Sequence, residues 1–321
     1  MNDIEEITFP EKVKYKYQVC AVIFGADKSV LNIKLKDDYS FILKSIYSKD
    51  DDLTELFQTD VSGLQRNYYS AIVDNDYKVI CIEKIIEIEL NPKTDQEFWD
   101  KANIDDLSSI DDQLRTIRLI KEGPIRCKSI SFNLKPIEKV NCIIQPSSHY
   151  SLFQFSESYP TKSISTISCD NKDIDLINKA IENFDFPLQD QLLNSAHIFY
   201  DLSYHTELYI SVSLLTTALE MLYLNNEQFK KEKLSKRCAV YIGGSNEEII
   251  VLYKQLKEAY SLRSKFLHDG NIKHIRATTV IFLRDCVRKT LLKSISTKET
   301  KNNKIKRLKE FVKDNLNLFG E

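Results

Sequence analysis

From Val13 to Ile23 every second position is apolar: Val13, Tyr15, Tyr17, Val19, Ala21 and Ile23 alternate with mostly polar neighbours. A period of two marks a strand with one face buried. Leu31, Ile33 and Leu35 resume the alternation after a break at residues 25–29, which predicts a hairpin. A longer strand is expected over Tyr77–Leu90, closing on the clean alternation Ile86-Glu-Ile-Glu-Leu90. Further strands are expected at Lys128–Leu134, Lys139–Gln145 and Tyr150–Ser156. Between them the period changes. Leu107, Ile110, Leu114, Ile117 and Ile120 form an apolar stripe at helical spacing within Asp105–Glu122. The first half therefore reads as antiparallel sheet with one or two helices.

The texture shifts at Ser158–Asp170, a Ser/Thr/Pro-containing stretch that reads as a linker or a last edge strand. Beyond it the period is that of helices. Ile174, Ile177, Ala180 and Ile181 stripe a first one over Asn171–Phe184. Leu188–Leu202, Leu208–Leu224, Phe229–Tyr241, Glu247–Leu267 and Ile275–Ser294 follow, and the Lys-rich tail Thr297–Phe319 predicts a last, partly frayed helix. Gly243-Gly244 is a sharp break, and Ser245/Asn246 before Glu247 and Glu248 has the form of a capped start. Asp269-Gly270-Asn271 is a stop. The fold class expected is α+β, with a β-rich domain over residues 1–165 and an all-α domain over residues 166–321.

Composition narrows the class. Hydrophobic residues are 42% and charged residues 29% of the 321, ordinary for a globular chain. No apolar run approaches the roughly 18 residues of a membrane helix, so no membrane partner is expected. The opening, MNDIEEITFPEK, is acidic and lacks the basic-then-apolar order of a secretory signal. Seven scattered cysteines without a CxxC pair suit a reduced protein better than a zinc site or a disulfide framework. A cytoplasmic location is the expectation. Charge adds more: residues 1–170 carry a net −7, whereas residues 230–313 hold 22 basic against 8 acidic side chains. Such a local excess attracts polyanions, although much of it is solvated helix face.

The pair that carries chemistry is Arg263 and His268, at the end of the Glu247–Leu267 helix. Five residues apart, they are separated by about 7.5 Å along the axis and about 140° around it. Two long side chains at a helix end can still converge on a ligand lodged there, especially if a second protomer closes the site. Phe266 and Leu267 between them are expected to anchor the helix in the core.

The run Tyr253-Lys-Gln-Leu-Lys-Glu-Ala-Tyr-Ser-Leu-Arg263-Ser-Lys-Phe-Leu-His268-Asp-Gly270 resembles the signature helix of Apea-like domains of the HEPN superfamily, an R-x4–6-H element closely followed by glycine. Leu214-Leu-Thr-Thr-Ala-Leu-Glu220-Met-Leu is similar to the family's other recurring helix. The resemblance covers roughly residues 171–295; Asp269, standing between His268 and Gly270, departs from the pattern of many relatives. It implies a helical bundle and a metal-independent endoribonuclease, without cofactor, active as a homodimer through the helical domain. RNA is the implied substrate. An imidazole titrating near neutrality suits proton transfer at the 2′-hydroxyl or the leaving oxygen, and a guanidinium suits the phosphate and the charge of a phosphorane. His268 is thus the expected acid/base and Arg263 the clamp, with Glu220 and Ser264 supporting and Lys265, Lys273 and Arg276 against RNA. A toxin or anti-phage defence effector follows as a role. Its N-terminal domain would sense a protein or phage-derived trigger, or hold the nuclease idle.

Blander readings stand beside these. Arg263 can be a structural partner of Glu220, and His268 a cationic cap on a helix C-terminus. A non-catalytic HEPN-like scaffold for RNA binding or dimerisation is the alternative function, and a protein-recruiting partner a third. His149, His197 and His205 have no partners in sequence, and Tyr200, Tyr204 and Tyr209 read as packing. P-loop, GxGxxG, HExxH, GxSxG and EF-hand patterns are missing.

Overall fold

The structure is a computed structural model that describes residues 12–47, 53–57, 60–90, 95–123, 125–137, 148–153, 166–183, 190–204 and 206–320. The chain folds into two compact units, Met1–Ile181 and Glu182–Glu321. It is α+β: an antiparallel sheet in the first unit, helices throughout the second. No described helix is long and apolar enough to cross a membrane.

In the first unit β1 (Val13–Phe24), β2 (Ser40–Ser45), β3 (Lys78–Leu90), β4 (Arg126–Pro136) and β5 (Ser148–Phe153) pair antiparallel in the order β2-β3-β1-β4-β5. The alternating residues of β1 explain its central place. Tyr15, Tyr17, Val19, Ala21 and Ile23 pack on one face with Ile110, Leu114 and Ile117 of the long helix α3 (Asp95–Ile120). Cys20, Val22 and Phe24 pack on the other with the short helices α1 (Leu53–Phe57) and α2 (Val61–Tyr68). A strand covered on both faces has no polar side to show, and β1 is buried continuously from Val19 onward. Asp106 of α3 is a buried node beneath it, accepting from Tyr17 at 2.5 Å, from Tyr39, and from Lys84 at 3.0 Å.

Three expectations change in this unit. Leu31–Leu35 is no hairpin strand: Lys28–Asn32 is a 3-10 turn whose cap, Asp27, accepts from the Ser29 amide at 2.9 Å. The strands beside β1 are β3 and β4, and the edge strand β2 lies farther along the chain. The helix over 171–184 is α4 (Asn171–Glu182), but its stripe, Ile174, Ile177 and Ile181, packs into the sheet's core. The division between units therefore falls after that helix instead of at residue 165. The strand expected at Lys139–Gln145 lies outside the described residues, as do 154–156 of the next one and most of the linker; Ile167, at the linker's end, pairs with Ala26.

The second unit holds α5 (Gln191–Leu202), α6 (Leu208–Tyr223), α7 (Lys230–Ile242), α8 (Asn246–Asp269), α9 (Ala277–Thr297) and α10 (Lys301–Asp314). Helix α6 touches all five others. Its buried face is correspondingly wide: Val212, Leu215, Ala218, Leu219, Leu222 and Tyr223 span about 140° of the helix surface. Gly243 breaks the chain between α7 and α8 because a β-carbon there would meet the Ala239 carbonyl at 2.6 Å and Ile249 at 2.7 Å. Ser245 then starts α8 with a complete capping box: the Glu248 amide donates to its hydroxyl and its own amide donates to the Glu248 carboxylate. The tail is no single frayed helix. Lys298, at φ +50°, ends α9, and a new helix starts after Thr300.

Candidate active site on the helical unit

Helix α8 ends in a left-handed (αL) glycine cap. Gly270 adopts φ +63°, its amide donates to the Phe266 carbonyl at 3.0 Å, and the Asn271 amide donates to the Lys265 carbonyl at 3.3 Å. The turn fixes where the last side chains of α8 project. Phe266 packs against Tyr209 of α6, ring centres 5.1 Å apart. Leu267 does not share that anchoring role and is half exposed, because its position turns it about 100° away from Phe266.

Arg263 is held from two sides. Its Nη2 lies 3.8 Å from Oε2 of Glu220 on α6, and its guanidinium carbon lies 5.7 Å from the ring centre of Tyr260, one turn back on α8. Tyr260 in turn donates to Glu220 Oε1 at 2.6 Å. Burial, followed by that carboxylate, pushes the Tyr260 hydroxyl up to about 12, so it stays a donor throughout the neutral range. The clamp is therefore a three-residue unit: Glu220 fixes Tyr260, and both fix Arg263. Arg263 Nε is enclosed without a hydrogen-bond partner, and the side chain retains 20% of its exposure. Tyr260 was not singled out in the sequence; its signal was the i−3 spacing to Arg263 on one helix face.

His268 stands exposed on the last turn of α8, and no described side chain hydrogen-bonds or ion-pairs with it. Ser264 is partly buried and Lys265 exposed, both without side-chain bonds among the described residues. Arg263 and His268 thus share one helix end on different sides of it, as the spacing requires.

Lys273 and Arg276 lie beyond the turn that ends α8. Lys273 is exposed in the loop, where its amide donates to Asn271 Oδ1 at 3.1 Å. Arg276 caps the start of α9 and, with His274, lines a cleft of about 400 Å³ formed with Gln255, Glu258, Leu262 and Phe282. Arg263 and His268 are not among the residues lining that cleft.

Among the described residues no group of three or more His, Cys, Asp or Glu side chains is placed to hold a metal ion. His197 is buried within α5, and Tyr200 and Tyr204 pack edge to face with the Arg284 guanidinium 3.9 Å over the Tyr204 ring. These are packing roles. No family model, curated protein or solved structure matches the chain.

Proposed function

We propose that the helical unit is a HEPN-type, metal-independent endoribonuclease that cleaves RNA with Arg263 and His268. One observation carries the reading: a guanidinium positioned by two neighbours keeps a fifth of its side chain in solvent, and five residues on an imidazole stands exposed with no side-chain partner among the described residues. The first is what a phosphate clamp requires, and the second is what a proton carrier requires. The 2′-hydroxyl attacks the adjacent phosphorus, forming the P–O2′ bond and breaking the P–O5′ bond. His268 takes the hydroxyl proton or gives one to the departing O5′, and Arg263 holds the non-bridging oxygens as charge builds on them. The products are a 2′,3′-cyclic phosphate and a 5′-hydroxyl.

The two side chains point about 140° apart around α8, so a second copy of the chain completes the site in this reading. Leu267 and Ile272, each about half exposed beside His268, supply apolar surface for that pairing. The role is that of a toxin or defence effector in the cytoplasm, with the sheet unit receiving the trigger. The test compares wild type, Arg263→Ala and His268→Ala for RNA cleavage, product ends and host growth. Loss of cleavage in both variants is expected. Equal behaviour of all three, with RNA binding or dimerisation intact, favours the second reading, a non-catalytic scaffold in which the Glu220–Arg263 ion pair is structural.

A further inference from the structure

A second feature of the helical unit lies on α7 and α10. Phe229, the residue that opens α7, sits at φ +56° and leaves 77% of its surface in solvent. A bulky side chain rarely adopts that backbone region, and here no burial compensates for it. Its ring borders a groove of about 350 Å³. Lys233, Lys236, Arg237, Lys309 and Lys313 line the groove against one carboxylate, Glu232, together with the apolar Val312 and Leu316.

The acids nearby do not neutralise it. Glu227 is shared by Arg237 at 2.9 Å, Lys233 at 3.2 Å and Lys309 at 3.4 Å. The Arg237 hydrogen bond above all holds the Glu227 carboxyl down to about 2, so its charge persists, but one charge is divided among three cations. Glu232 is likewise shared by Lys236 and Lys257. Lys313 is exposed and has no acidic partner among the described residues.

We infer that this groove binds single-stranded nucleic acid, with a base stacked on Phe229 and the phosphates along Lys233, Lys309 and Lys313. A polymer with one negative charge and one flat π face per unit matches an aromatic ring rimmed by cations. A duplex hides its base faces and has no use for the ring. That the strand is RNA rests on the ribonuclease reading; the groove itself does not, since it contains neither Arg263 nor His268.

Fluorescence anisotropy with a labelled 12-nucleotide oligo(dU), which lacks the 2′-hydroxyl and survives the proposed chemistry, tests the inference on the full chain. Phe229→Ala weakens binding about fivefold or more. Lys309→Glu/Lys313→Glu weakens it more than about tenfold and flattens the salt dependence by one to two ions. Lys289→Glu, on α9 outside the groove and equal in charge change to Lys313→Glu alone, leaves affinity unchanged. Should reversal at Lys309 disturb the Glu227 cluster, Lys313→Glu alone, at an exposed and unpaired site, reads the same effect. The inference is overturned if Phe229→Ala and Lys313→Glu both stay within twofold of wild type. It is equally overturned if Lys289→Glu weakens binding as much, or if duplex or oligoglutamate binds as well as the single strand. Failure of the ribonuclease reading instead shows as uncut RNA with oligo(dU) binding intact.

Discussion

Glu220 on α6 and Arg263 on α8 face each other at 3.8 Å, and the carboxylate's other oxygen is engaged by Tyr260, the residue that also backs the guanidinium. The carboxylate therefore orients a cation through two routes at once, directly and through a tyrosine. If Arg263 clamps phosphate, Glu220 is a positioning residue whose charge matters more than its bulk.

Glu220→Gln separates these effects. The amide keeps the shape and can accept from Tyr260, but no longer attracts Arg263. Tyr260 then titrates below its present value of about 12, because the neighbouring negative charge that helps raise it is gone. NMR with ring-labelled tyrosine, assigned through Tyr260→Phe, reads that shift. RNA cleavage falls by about tenfold to a hundredfold, equivalent to roughly 1.4–2.8 kcal/mol, in a protein that melts nearly as wild type does. An unmoved Tyr260 titration would refute the coupling, and unmoved cleavage would refute the positioning role.

Gly270 carries the second prediction. Its φ of +63° ends α8 beside His268, and nothing lies within 4 Å of where a β-carbon would stand. The cost of Gly270→Ala is therefore one of backbone conformation alone, about 1 kcal/mol. Gly270→Asn costs less, because asparagine tolerates the left-handed region. Thermal or urea melts check the order wild type, Asn, Ala. Equal stability of all three would mean that the turn is not held in this conformation.

Much of this arrangement was legible in the residues. Elements with strict periodicity were readable: the alternation of Tyr15, Tyr17 and Val19 belongs to β1, and the stripe Ile110, Leu114 and Ile117 belongs to α3. Chain punctuation was readable for the same reason, since Ser245, Glu248 and Gly270 act through local hydrogen bonds. What local patterns do not carry is the identity of the neighbour. The stripe on α4 is the same whether it packs on helices or on a sheet, and only the fold sends Ile174 and Ile177 to the sheet. Helices α1 and α2 are too short for a period to register. Within the site, Arg263 and Glu220 were singled out but Tyr260 was passed over, because its part depends on a partner forty residues away. The groove at Phe229 was hidden in the same way, assembled from two helices whose lysines individually read as solvated surface.

Phe229 makes the third prediction, in which stability and binding move in opposite directions. Glycine adopts φ +56° without the penalty of about 1–2 kcal/mol that an L side chain bears there. Little burial is lost, since the ring is already 77% exposed. Phe229→Gly therefore raises the melting temperature of the helical unit while weakening oligo(dU) binding about as Phe229→Ala does. A residue whose removal stabilises the fold and impairs binding is strained for function. A lowered melting temperature would instead assign the ring to packing.

Lys304 provides a prediction in pH. It lies on α10 with only 1% of its surface exposed, its amine 3.2 Å from the Ser294 hydroxyl and 5.2 Å from the ring centres of both Tyr223 and Tyr241. No carboxylate ion-pairs with it among the described residues. Burial lowers its pKa from 10.5 to about 8, with Glu299 and Asp190 opposing the shift and Lys301 adding to it. The sign follows from proton counts. Below pH 8 both the folded and the unfolded chain hold the proton, and stability is flat with respect to this group. Between about 8 and 10.5 the unfolded chain keeps a proton that the folded one has released, so stability rises with pH, by up to about 3 kcal/mol. Buried tyrosines act in reverse: burial raises Tyr223 and Tyr241, so their unfolded forms ionise first and stability turns down above about pH 10. Buried thiols act in reverse as well, Cys286 in this unit and Cys81, Cys127 and Cys169 in the other, and from about pH 8.5. The lysine is therefore read as the difference between wild type and Lys304→Met over about pH 8 to 9.5. Urea melts across that range show the wild-type midpoint rising relative to that of Lys304→Met, in which the thiols titrate equally and which at pH 7 is also the more stable protein because no charge is left buried. A gap between the two midpoints that stays constant between pH 8 and 9.5 would mean that the amine keeps its proton inside the bundle, held there by the two tyrosine rings.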